Sequence, residues 1–218
     1  GMNEAQAHAV TYVDGPVLIL AGAGSGKTRV ITHRLAYLVY EMGISPGNIL
    51  AVTFTNKAAS EMKERVTSLL GGQARGLWVT TFHAMGSRIL RRYANLLGFT
   101  EKLSIYSTSD QTALVKRLIN ESGLDVKRFP PKTVLNQISL WKQDLLSPSD
   151  LSAPQNDQRI VSIYATYQEE LRKSNAMDFD DLLFYLVQLF RDHEEVLKEY
   201  QALFQYIMVD EFQDTNPI

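Results

Sequence analysis

The sequence predicts an α/β fold: a parallel sheet flanked by helices, with an all-helical subdomain inserted into it. Three observations carry that expectation. Short apolar runs at 16–20, 48–55, 77–80 and 206–209 alternate with longer stretches of helical periodicity. A glycine-rich turn ending in Lys27 and Thr28 joins the first apolar run to the first long helix. From about Ser107 to Lys173 there are helical patterns and no convincing long strand. Strands that alternate with helices form parallel sheets, because each crossover helix packs back onto a face.

The elements follow in order. Asn3 to Val13 reads as a short helix, with Asn3 and Gln6 at capping-box spacing. Pro16 to Leu20 reads as a buried strand, and Arg29 to Glu41 as a helix burying Val30, Ile31, Leu35 and Leu38. A strand is expected over 48–55, a helix over 57–70 stopped by Gly71 and Gly72, and a short strand over 77–80. The next helix spans 84–97 and is capped at Gly98. Three helices are expected in the insert: one from Ser107 to Gly123, one opened by Pro130 and Pro131 and containing Trp141, and one over 160–173. Residues 147–150 and 153–157 read as loops. A helix begins within 178–183, another spans 194–203, and 206–209 is a buried strand that resumes the sheet.

Composition narrows the classes. Hydrophobic residues make up 45% and charged residues 21%, as in an ordinary globular protein. There is no cysteine, which excludes disulfides, iron–sulfur clusters and thiolate zinc sites and fits a reducing, cytoplasmic setting. No signal peptide is found, nor an apolar run of about 18 residues. A formal charge of −2 does not announce a nucleic-acid partner, so any such contact must come from local patches or stacking. Gly1 before Met2 reads as the remnant of a cleaved tag, and the abrupt end after a strand-like run suggests a piece of a longer protein.

Two stretches carry chemistry. Ala21, Gly22, Ala23, Gly24, Ser25, Gly26, Lys27 and Thr28 form a phosphate-binding loop between strand and helix. The glycines let the backbone curl so that N–H groups converge on phosphate oxygens, and the helix start adds its positive end. Lys27 is expected to reach the β- and γ-phosphates and Thr28 to ligate Mg²⁺. Far along the chain, 206–211 (YIMVDE) is an apolar run ending in two carboxylates. Phosphoryl transfer requires an acid to hold Mg²⁺ and a group to activate the attacking water. Asp210 suits the first role and Glu211 the second. Both stretches lie at carboxyl ends of strands, where open parallel sheets bind ligands.

VDEFQDTN at 209–216, together with AGAGSGKT at 21–28, resembles the superfamily 1 DNA helicases of the UvrD/Rep/PcrA type. NEAQAHAV at 3–10 is similar to the family's Q motif, with Met2 where Leu is usual. LAVTFTNKAASEM at 50–62 resembles motif Ia, TTFHAMGSRIL at 80–90 motif Ib, and DFDDLL at 178–183 a further family element. The resemblance implies a RecA-like P-loop motor domain 1A over 1–103 and 178–218, with a helical domain 1B over 104–177. It implies ATP and Mg²⁺ as ligands. Gln6 would contact the adenine edge, with Arg29 a further nucleotide candidate, and Gln213 and Asp214 would couple the nucleotide site to neighbouring motifs. Thr53, Phe54, Thr55, Asn56, Thr81, Phe82 and His83 would line a path for single-stranded DNA, including its junctions with duplex. The family's ATP site also needs a second RecA-like domain, and its members translocate 3′ to 5′.

Other signals read as structural. His8, His33, His83 and His193 lack metal-ligand spacing. Asp178, Asp180 and Asp181 favour a helix start. Trp141 reads as core, whereas Lys142, Lys132 and Arg128 read as a solvated face. Two other classes stay open: the motor part of an AddA- or RecB-type helicase–nuclease, and a non-catalytic nucleotide- or DNA-binding module. The acid pair at 210 and 211 argues against the latter, since a pure binder needs no water-activating group.

Overall fold

A computed structural model describes residues 2–20 and 26–215. The chain divides into two compact units, one of residues 1–82 with 195–214 and the other of 83–194 with 215–218.

The first unit is built on a parallel sheet of order β2-β1-β5, with β1 at Ile49–Thr53, β2 at Trp78–Thr81 and β5 at Tyr206–Val209. β1 is the centre. Leu50 pairs with Trp78 on one side and with Ile207 on the other. All five residues of β1 are buried, as a strand covered on both faces requires. Ile49 and Ala51 face the main core, where they meet Leu35 and Leu38 of α2 (Lys27–Tyr40) and Met62 and Val66 of α3 (Asn56–Leu70). Thr55 caps α3 by accepting from the Ala58 N–H at 3.1 Å. Leu50 and Trp78, being in register, share the other face, where Tyr200 and Phe204 at the end of α9 (Glu194–Leu203) set their rings edge-on to Trp78. Helix α1 (Glu4–Thr11) starts with the expected capping box: the Gln6 N–H donates to Asn3 Oδ1 and the Asn3 N–H to Gln6 Oε1.

Two expectations fail here, for one reason. Residues 16–20 are not a strand, and Leu18 and Leu20 are 69% and 85% exposed. β5 is a strand but is not buried, with Ile207 60% exposed. An apolar run becomes a strand only when it meets another strand's edge in register. Here 16–20 and the outer side of β5 flank an open cavity of about 790 Å³ instead of sharing a ladder.

The second unit is mostly helical: α4 (Phe82–Arg92, its first residue belonging to the other unit), α5 (Thr108–Glu121), α6 (Pro131–Gln143), α7 (Gln158–Lys173) and α8 (Asp181–Asp192). A two-stranded parallel pair, β3 (Ser104–Ile105) with β4 (Ala176–Met177), brackets α5 to α7. Val115, Ile119, Ile138, Tyr164 and Tyr167 form the middle of its core, and Trp141 joins them at 7% exposure. Helices α4 and α8 approach closely at Gly86, where a Cβ would stand 2.7 Å from the Leu182 carbonyl oxygen. Residues 147–150, read as a loop, include the start of a short 3₁₀ helix, Pro148–Leu151, because Ser147 and Asp150 complete a capping box.

Lys142 corrects the expectation of a solvated face. It is fully buried, 2.6 Å from Asp178 Oδ2 and 2.8 Å from Asp181 Oδ1. Tyr167 donates to Asp178 Oδ2 at 2.9 Å, and Gln168 Nε2 donates to Asp181 Oδ1 at 3.1 Å. The two aspartates also cap one another's backbone N–H groups across the 178–181 turn. They do mark a helix start, but as a desolvated cluster of two carboxylates and one ammonium. Burial, then the neighbouring Asp178 charge, pushes Asp181 up to about 6. Against the same burial, Asp181 and Asp178 hold the Lys142 ammonium above its ordinary value.

Replacing Lys142 by Met strands the carboxylates and is expected to cost about 3–5 kcal/mol in urea denaturation, partly restored by adding Asp181→Asn. The lysine's contribution is complete below its ordinary value of 10.5 and is lost as pH rises through its higher folded value. The stability gap between wild type and Lys142→Met should therefore narrow in strongly alkaline buffer.

Candidate functional site

The site begins at the head of α2. Gly26 is its N-cap residue at φ +86°, a left-handed conformation that suits glycine. The first turn then carries Lys27, Thr28 and Arg29 and no acid. Cations at the positive end of a helix are unfavourable alone and become favourable when an anion is shared between them. Lys27 and Thr28 are half-buried, whereas Arg29 is exposed. Ala21, Gly22, Ala23, Gly24 and Ser25 lie outside the described residues.

The other half arrives with β5. The Asp210 N–H donates to the Val52 carbonyl at 3.0 Å, so the ladder with β1 runs right up to this carboxylate. Asp210 is 7% exposed, and the Thr28 hydroxyl donates to its Oδ2 at 3.3 Å. Two residues 182 positions apart in the chain are thus brought to one point. Lys27 and Asp210 line the same cavity, as does Glu211.

Glu211 itself is exposed and has φ +56°, which is uncommon for a residue with a side chain. Its N–H donates to Asp210 Oδ1 at 3.1 Å, and the Gln213 amide donates to its Oε2. Asp214 closes the turn by donating its N–H to the Glu211 carbonyl at 2.9 Å. A hydroxyl and a carboxylate side by side form an all-oxygen donor set, the kind that suits Mg²⁺.

Gln6 approaches the same helix head. Its Nε2 lies 3.2 Å from where a Cβ on Gly26 would stand. Its Oε1 accepts from Asn3, so the amide caps its own helix while its nitrogen lies beside the head of α2.

The residues considered for a DNA path divide. Thr53 and Thr81 are buried at 1% and 6% exposure, and the Thr53 hydroxyl donates to the Thr55 carbonyl. Their side chains are interior to the sheet ends. Thr55 and Asn56 are exposed. Phe54 and Phe82 are half-buried with ring centroids 5.5 Å apart, tilted by 59°. In the second unit His83 stacks on Phe179, with centroids 3.8 Å apart and 12° between planes. Burial lowers the His83 pKa, with Asp180 opposing.

Sequence reading missed Arg34. It is 9% exposed, and burial pulls its pKa down against the opposing influence of Tyr206. The available signal was its place beside Ile31 and Leu35, a charge on the buried stripe of α2.

The sheet and its flanking helices place the chain among α/β proteins of the RecA-like kind. It belongs to the UvrD/REP helicase N-terminal domain family, whose pattern matches residues 2–218. Among its relatives, the ATP-dependent DNA helicase PcrA of Bacillus subtilis (strain 168) is 50% identical over 219 residues, covering 99% of this chain and 30% of that protein. The proteins of the same name from Leuconostoc citreum and Staphylococcus aureus (strain COL) are each 48% identical, over 99% of this chain and 29% and 30% of their own lengths. The chain thus spans about 30% of the length of these relatives.

Gly26→Ala is expected to lower the stability of the first unit by about 1–2 kcal/mol in urea denaturation, since φ +86° penalises a Cβ.

Proposed function

We propose that this chain is the ATP- and single-stranded-DNA-binding part of an ATP-dependent DNA helicase. The observation that carries the reading is the 3.3 Å approach of Thr28 to Asp210 beside Lys27. It is the arrangement that phosphoryl transfer demands: a phosphate-binding helix head and an acid at one sheet edge. The PcrA relatives favour a helicase over a helicase–nuclease motor.

The roles follow from the chemistry. Residues 21–26 carry the phosphate-binding sequence pattern, and Lys27 contacts the outer phosphates. Thr28 and Asp210 would hold Mg²⁺, which would supply neutralising charge for phosphoryl transfer. Glu211 orients the attacking water and accepts its proton. Gln213, already bonded to Glu211, links that group to the turn beyond. Gln6 reads the adenine edge, and Arg29 stands exposed near the phosphates. Phe54 and Phe82 offer apolar surfaces on which bases of any sequence stack, with Thr53, Thr55, Asn56 and Thr81 as further contacts of the first unit; His83 is a separate candidate in the second unit. Residues 1–103 and 178–218 form the motor domain 1A in this reading, and 104–177 the helical domain 1B.

A second RecA-like domain, elsewhere in the full-length protein, supplies arginines to the transition state; such groups contribute about 10³ to 10⁵ in rate in related systems. Translocation, in the 3′ to 5′ sense, requires both domains to close and open around the strand. The chain alone therefore binds ATP weakly and turns it over very slowly.

In the full-length protein, Glu211→Gln should leave ATP affinity intact while turnover falls by about 10²-fold or more in a steady-state ATPase assay. Unchanged turnover would overturn the assignment of the base. Single-stranded DNA should stimulate the full-length ATPase and leave the isolated chain unstimulated; stimulated turnover by the chain alone would overturn the division of labour.

A further inference from the structure

We infer that Arg34 is a positioning residue for base selection, holding from α2 the helix that carries Gln6. The inference rests on the reading of Gln6 as the adenine contact.

The guanidinium of Arg34 reaches the far end of α1. Its Nη1 donates to the Ala9 carbonyl at 2.9 Å and to the Val10 carbonyl at 3.5 Å, and it also donates to the Tyr12 carbonyl. These oxygens belong to the last turn and C-cap of α1, where carbonyls have no partner within the helix. They form the negative end of the helix, and Arg34 supplies a nearly buried cation to them. Helix α1 has only eight residues, too few to persist on its own in water. Its position is set by docking, through buried Val10 and through this clamp.

The opposite end of α1 carries Gln6. The capping box fixes the amide with Oε1 toward Asn3, and Nε2 sits beside Gly26. Arg34 lies seven positions after Lys27 on the same helix. One rigid rod, α2, thus holds the phosphate-facing residues at its head and, through Arg34, the base-facing helix along its side. Without the guanidinium, the carbonyls at the end of α1 lose their charged donor and the helix can shift or fray. Lys27, Thr28 and Asp210 keep their places, because α2 and β5 hold them. Arg34 therefore affects recognition of the base and leaves recognition of the phosphates alone.

The test compares Mg²⁺ complexes of ATP, ITP and inorganic tripolyphosphate binding to the full-length protein. ITP replaces the adenine amino group with a carbonyl, which cannot donate to the second lone pair of Gln6 Oε1, the first being taken by the Asn3 N–H. Wild type should prefer ATP to ITP by about tenfold or more, the scale of one bidentate amide–adenine contact. Arg34→Met should bring that ratio close to one while tripolyphosphate affinity stays within about twofold, and Arg34→Lys should restore part of the preference. Adding Gln6→Ala to Arg34→Met should change the ratio no further. An unchanged ratio in Arg34→Met overturns the inference, as does a parallel loss of tripolyphosphate binding, which would mark a general structural role. Should Arg34→Met fail to fold, Arg34→Gln takes its place: a ratio near one supports the inference, and an unchanged ratio or lost tripolyphosphate binding overturns it. A wild type that binds tripolyphosphate but ignores the base overturns the reading of Gln6 and this inference with it. Failure to bind tripolyphosphate at all overturns the phosphate site itself.

Discussion

Central strand β1 governs the first unit. It is bonded in parallel on both sides, so its register fixes where two other strands end. Because Val52 lies opposite Val209 and accepts from the next N–H, the carboxylate of Asp210 emerges at a set height on the sheet. The packing of α2 on the same strand sets the height of Thr28. The meeting of hydroxyl and carboxylate is thus a product of hydrophobic packing and ladder geometry, neither of which involves a ligand. Residues far apart in order become neighbours without any direct attraction strong enough to bring them together.

Much of this was legible from local grammar. Helix α9 falls at the predicted residues because a polar boundary and an apolar stripe agree on both ends. The Asn3–Gln6 box and the helix opened by Pro131 follow from capping rules that need only a few adjacent residues. The convergence of Thr28 and Asp210 was legible for the same reason: a glycine-rich turn ending in Lys-Thr and an acid pair at a strand end are short patterns, and the structure brings them to 3.3 Å. What stayed hidden depends on partners. The 16–20 run shows a demand for burial but does not name the strand that would satisfy it. Lys142 looks like any helix-surface cation until Asp178 and Asp181 fold back to it from 36 and 39 positions away. Arg34 is equally ordinary in sequence, and its role appears only once the carbonyls of another helix are placed around it.

The Lys142 cluster shows how the helical unit manages a difficult turn. Residues 178–181 pass from a two-residue strand directly into a helix, with their backbone donors buried. Aspartate side chains satisfy those donors, and the ammonium keeps the side chains from repelling one another. A purely apolar core would pack as tightly but would leave the turn's N–H groups without acceptors, at about 1–3 kcal/mol each. Specific geometry is therefore obtained by burying charge, and Phe179 is left half outside, stacked against His83.

The left-handed backbone at Glu211 has an evolutionary corollary. A residue selected for thermal robustness alone would be glycine there, which occupies that well without a steric penalty of roughly 1 kcal/mol. A carboxylate at this spot is a concession of sturdiness, so stabilisation screens that score only melting would be drawn to erase it. Hardier descendants of this chain would then accumulate at the expense of the carboxylate next to Asp210.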